Sequence, residues 1–212
     1  MKKVLCLVLA MVMLMALAVP AFADDENEVE VGSTVNVPTI DVTLPTAEAI
    51  TLNPYGLEVG TGKDTAQIQQ DAMFLENKSD VAVKVNLAVT GVLPETNTDK
   101  VAFATATTVP ASGKSAATTK SIFLYVDVQE VASATAAAIA TYDSKSTTQI
   151  VVAAKEVKKD VAVLDKTGGA KAFAQIRIGG DMIAAPSVAW TANDAVKVKL
   201  VFDCTATVRA AS

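Results

Sequence analysis

"DVAVKVNLAVT", residues 80–90, alternates without a break. Val81, Val83, Val85, Leu87 and Val89 fall on one side, and Ala82, Lys84, Asn86, Ala88 and Thr90 on the other. Side chains of an extended chain point to opposite faces with a period of two. One apolar side against one wet side therefore reads as an antiparallel strand with a single buried face. The polar "NKSD" (77–80) stands immediately before it, and "AQIQQDAMFLE" (66–76) before that. Residues 66–90 read as a β-hairpin turning at 77–80.

The same alternation recurs outward from this stretch. "IDVTLP" places Ile40, Val42 and Leu44 on one side before Pro45 ends the run, and "SIFLYVDV" does the same with Ile122, Leu124, Val126 and Val128. "QIVVAA" (149–154) and "AFAQIRI" (172–178) are shorter runs of the same kind, bounded by Lys, Asp and Gly. "VKVKLVFDCTATV" (196–208) is the longest, with Val196, Val198, Leu200, Phe202, Cys204, Ala206 and Val208 sharing a face. Between these runs lie segments rich in Thr, Ser, Gly and Pro, such as 90–99 and 107–121, which read as loops. Residues 130–148 carry enough alanine for a short helix but show no amphipathic stripe. Strands separated by turns, with no long helical pattern, predict an all-β domain. The expected architecture is an antiparallel β-sandwich, jelly-roll or Ig-like.

The front of the chain differs. Lys2 and Lys3 precede sixteen apolar residues, Val4 to Val19; Pro20 breaks the run and Ala21-Phe22-Ala23 supplies a small-x-small cleavage pattern. A membrane-spanning helix needs about 20 apolar residues. The expectation is a cleavable signal peptide over 1–23, an acidic extended segment over 24–38, and a single sandwich domain over 39–212. Cleavage removes two lysines and no acids, moving the formal charge from −5 to −7. Such a surface, with no Lys/Arg cluster, argues against nucleic acid. The membrane is involved only through the signal before cleavage. The expected location is outside a bacterial cell, secreted or held at its surface.

Cys6 leaves with the signal, so Cys204 is the one cysteine of the mature chain. It sits in register with the apolar face, where a free thiol behaves as a small hydrophobe; a buried core thiol is expected. The competing reading is an intermolecular disulfide, which an odd cysteine in an exported chain always raises.

The chain contains no histidine. That removes Ser-His-Asp and Cys-His nucleophile activation, His-based zinc sites and the usual near-neutral acid/base group. Lys166-Thr167-Gly168 is a fragment of the β-lactamase set, but no serine has a lysine three residues on, so it reads as a turn. "GLEVGTGKDT" misses the Walker spacing by one residue and puts Asp64 where a hydroxyl is needed. "LPETN" (93–97) resembles a sorting signal but has 115 residues after it, and reads as a proline turn. "NKS" (77–79) is a glycosylation sequon. "DDENE" (24–28) lacks the spacing of a calcium loop. Scattered carboxylates leave a glycosidase pair open only in principle. No catalytic residue, metal ligand or cofactor is expected, and the chain reads as a non-enzyme.

Contact residues are a different matter. The second face of "SIFLYVDV" carries Phe123 and Tyr125 beside Asp127, a contact patch if exposed and ordinary core if covered, with core the commoner outcome. Trp190, the one tryptophan, reads as an end-plug of the core beside the last strand, or as a ligand platform.

A signal peptide, early strands, a strand–"ENKSD"–strand unit and a final "VKVKLVFDCTATV" together resemble small exported β-proteins of Gram-positive bacteria, including the camelysin/TasA family of biofilm-matrix proteins. The similarity covers mainly residues 66–90 and 196–208. It implies a jelly-roll-like sandwich that assembles into extracellular fibres by strand donation. "EVEVGSTVNV" (28–37), with Val29, Val31, Val35 and Val37, would suit the donor role. The chain departs from the family in having an ordinary "AFA" cut and no ligand set for a metalloprotease. The WxL cell-wall group fits less well, since Trp190 is followed by Thr191 and Ala192. The expectation is thus a structural surface or matrix protein acting through sheet-edge contacts, with itself or the cell envelope as partner. The alternative is a soluble glycan- or cell-wall-binding module using Phe123, Tyr125 or Trp190.

Overall fold

The computed structural model describes residues 39–53, 67–95, 101–105, 120–135, 138–140, 142–182 and 189–208, all within one compact unit, Val37–Ser212. The fold is all-β. Its strands are β1 (Val42–Thr43), β2 (Thr51–Leu52), β3 (Ile68–Gln69), β4 (Met73–Asn77), β5 (Ala82–Val92), β6 (Ala102–Phe103), β7 (Ser121–Val131), β8 (Gln149–Val151), β9 (Val157–Leu164), β10 (Phe173–Met182) and β11 (Lys197–Thr207). A single 3-10 turn, Ala192–Asp194, is the only helical element among the described residues.

The strands form a six-stranded sheet ordered β1-β4-β10-β7-β6, with β8 also on β7, and a three-stranded sheet ordered β11-β5-β9; β2 and β3 pair separately. Pairing is antiparallel except for β6 on β7. The alternation of "DVAVKVNLAVT" holds over most of its length: Val83, Val85, Leu87 and Val89 are fully buried and Lys84, Asn86 and Thr90 only partly so, but Val81 is half-buried and Ala88, expected on the wet side, is buried. The four fully buried residues join Leu75, Ile122, Leu124, Val126, Ile176 and Leu164 in one apolar cluster drawn from both larger sheets.

The hairpin over 66–90 does not form. β4 pairs with β1 and β10 in the six-stranded sheet, and β5 pairs with β11 and β9 in the other. Residues 78–81 carry the chain from one sheet to the other. Both strands have an apolar face, and those faces can be buried side by side or across a shared core; a period of two is the same in either case. The crossing is held by side chains. Asn77 Nδ2 donates to the carbonyls of Val81 (2.9 Å) and Asp165 (2.7 Å), and its Oδ1 accepts from the Ser79 amide. Ser79 Oγ accepts from the Asp41 amide, and the Ser79 carbonyl accepts from the Thr167 amide. One node thus ties β1, the β4–β5 crossing and the turn that leads from β9 back to β10. Asn77 is 1% exposed with both amide hydrogens committed, so its sequon offers no acceptor nitrogen on the folded protein.

Other boundaries shift for local reasons. β1 is confined to two residues against the end of β4, leaving Ile40 and Leu44 exposed. β9 was hidden in the sequence by Lys158, Lys159 and Asp160 at its start. β10 does not stop at its glycines but runs through Gly179 and Gly180 to Met182. A Cβ at Gly179 would strike the Tyr125 ring, and one at Gly180 (φ 149°) the Phe123 carbonyl, so the pair lets β10 and β7 lie close. Lys166–Gly168 forms a turn with φ 74° at Gly168, as expected. Residues 130–148 contain no helix among those described.

Candidate functional site

The longest open feature is β11. It pairs with β5 in unbroken register from Lys197↔Val92 to Thr207↔Ala82, and no described strand lies on its other edge. An edge strand offers a row of unpaired backbone donors and acceptors to a further strand. Alternation sends Val198, Leu200, Phe202 and Cys204 inward, where they are half-buried against the core, and leaves Lys197, Lys199, Val201 and Asp203 in water. Val198, Leu200 and Phe202 also line an open cleft of about 190 Å³, shared with Met73 of β4 and Ile178 of β10.

The edge position corrects the expectation for Cys204. Its thiol is half-buried rather than buried, because a strand on one side only cannot cover it. Burial, followed by the neighbouring Asp203 carboxylate, holds the thiol pKa above its ordinary value. Ala206 and Val208, expected on the same buried face, are exposed where the strand ends.

Trp190 is half-buried against the core near the start of β11 and lines a second cleft, of about 430 Å³, with Ile50, Leu52, Met182 and Val196. Its ring centroid lies 5.9 Å from Lys120 Nζ, and that ammonium donates to Asp194 Oδ2 at 2.6 Å. Lys120 and Asp194 are each about 5% exposed at the side chain. Thr191 adds its amide and hydroxyl to the same oxygen. Burial alone would push the Asp194 carboxyl up; the hydrogen bonds from Lys120 and Thr191 outweigh it and hold the pKa below the ordinary value.

Phe123 and Tyr125 are core, 2% and 7% exposed, not an open platform. They stand on the β7 face opposite the main cluster, under a strap that includes residues 138–140 and 142. Tyr125 Oη donates to the Ala140 carbonyl (2.9 Å), Gln129 Nε2 donates to the Ala138 carbonyl, and the Ala140 amide donates to Asp127 Oδ2 (3.0 Å). Tyr142 packs edge-on against Phe123 at 5.0 Å between centroids. The lone aromatic in the small-residue stretch "ATYDSKSTT" was the one sequence signal of this contact.

Val29, Val31, Val35 and Val37 lie outside the described residues, as do residues 56–65 and 24–28. Among the described residues no group of three or more Cys, Asp or Glu side chains converges on a metal-sized site, and no helix is long and apolar enough to cross a membrane. Compared with known protein families, curated proteins and solved structures, the chain matches none.

Proposed function

We propose that the chain is an exported, non-enzymatic structural protein of the bacterial surface or extracellular matrix, working through sheet-edge contacts between copies. In this reading residues 1–23 are a signal peptide, and the two larger sheets are the faces of a β-sandwich. Residues 28–37 of one copy add to β11 of the next. The observation that carries it is the free edge of β11, eleven residues long and unblunted by proline or by a bulge against β5. The donor segment is of matching length, and its Glu28 and Glu30 complement Lys197 and Lys199. Its alternate valines suit a cleft lined by Val198, Leu200 and Phe202.

Deleting residues 24–38 abolishes assembly, followed by light scattering and negative-stain microscopy, while the thermal transition of the domain survives. A free peptide of residues 28–37 competes with assembly of the intact protein. Polymerisation that is unchanged by both sinks the reading. A glycan-binding module remains the second reading, favoured by the cleft beside Trp190; Trp190→Ala would then abolish glycan retention without lowering the melting temperature.

A further inference from the structure

Among the described residues, two places bring aromatic rings and a carboxylate together. At Trp190 the protein supplies the matching cation itself, since Lys120 Nζ lies over the ring and against Asp194. On the outer face of β7 the rings of Phe123, Tyr125 and Tyr142 stand 5.0–5.8 Å apart, and with Gly180 and Asp181 they line an open cavity of about 260 Å³. One water needs only ~10–15 Å³ of such space. Among the described residues Asp181 makes no ion pair.

The cavity exists because of backbone chemistry. Gly179 faces Tyr125 and Asp181 faces Phe123 in the β10–β7 register, and a side chain at Gly179 would run into Ile139 and the Tyr125 ring that line the cavity. The strap closes the far side through the Tyr125–Ala140 hydrogen bond. The neighbouring carboxylate, Asp127, is already committed to Gln129, Gln149 and the Ala140 amide. Asp181 is left as the charged group with capacity for a ligand. Asp181 is itself an exposed residue of the lining, and partial burial of its carboxyl holds the pKa above the ordinary value. The negative faces of aromatic rings attract organic cations, which shed water more readily than metal ions.

We propose that this cavity binds a small organic ammonium ion of about choline size, held against the half-buried Tyr142 and the rims of the buried Tyr125 and Phe123 rings and balanced by Asp181. The ligand takes the place that Lys120 occupies beside Trp190.

The test is a calorimetric titration of the purified protein with choline chloride. The uncharged isostere 3,3-dimethyl-1-butanol and sodium chloride serve as controls. Saturable choline binding near ~1 mM is expected, with the alcohol at least tenfold weaker and sodium chloride without effect. Asp181→Asn lowers choline affinity at least tenfold, about 1.4 kcal/mol, without lowering the thermal midpoint. Tyr142→Phe keeps the affinity and Tyr142→Ala loses it. Equal binding of choline and the alcohol by the wild-type protein overturns the proposal, as does full affinity in folded Asp181→Asn. An absence of saturation does the same.

Discussion

Strands β7 and β11 are each eleven residues long, and each alternates in sequence. β7 lies inside its sheet, with β10 on one side and β6 and β8 on the other, and every residue from Ile122 to Val128 is buried. β11 lies at an edge, and not one of its residues is fully buried. Neighbours, rather than pattern, set how much water each strand loses. β7 has become the centre of the fold, while β11 keeps one edge open.

The two strands are joined at their starts, because Lys120 precedes β7 and Asp194 precedes β11. Breaking that pair gives the largest effect expected. Lys120→Ala leaves a buried carboxylate unpaired and should cost roughly 3–5 kcal/mol in urea unfolding; a loss under 1 kcal/mol would mean water reaches Asp194 freely. Next comes the contrast in packing. Leu124→Ala should cost about 2–5 kcal/mol and Leu200→Ala about 1 kcal/mol, since half-buried area returns proportionately less. Equal losses would show that β11 is as enclosed as β7.

Acidification sharpens the link further. The depressed pKa of Asp194 means that its contribution to stability is present above the unfolded carboxylate range and is lost as pH falls through the folded value. The stability gap between wild type and Asp194→Asn should therefore be full at neutral pH and close below the ordinary carboxylate pKa. Smallest of all is the thiol. Cys204 should alkylate more slowly than a free cysteine at mildly alkaline pH, and catch up as pH rises past its elevated pKa. Alkylation at the free rate would show the edge to be fully open.

What could be read from the sequence, and what could not, divides along the same line. The alternating faces of β5, β7 and β11 were legible, because an extended chain sends its side chains to opposite sides with a period of two. Their partners were not. Met73 and Leu75 carry the same signal whether β4 pairs with β5 or packs across from it, and the hairpin reading failed there. β9 escaped because Lys159 stands on its inward face opposite Leu87 and a register shift opposite Val85 and Asn86 breaks the period of two. Lys120 and Asp194 stand 74 residues apart, and nothing local marks either as the partner of a charge. Tyr142 and Asp181 meet only after the strap has folded over β7, so sequence reasoning found Phe123 and Tyr125 without the groups that complete their cavity.

The placement of β5 also sets a schedule. Both strands that flank it, β9 and β11, come much later in sequence, and β11 is the last strand among the described residues. Contacts this distant in sequence close slowly, because the loop entropy must be met before any pairing rewards it. A growing chain therefore carries both edges of β5 unpaired until residues 157–164 and 197–207 have been made. Truncation before residue 197 leaves one of those edges permanently unpaired. The arrival of β11 therefore decides when that sheet is complete.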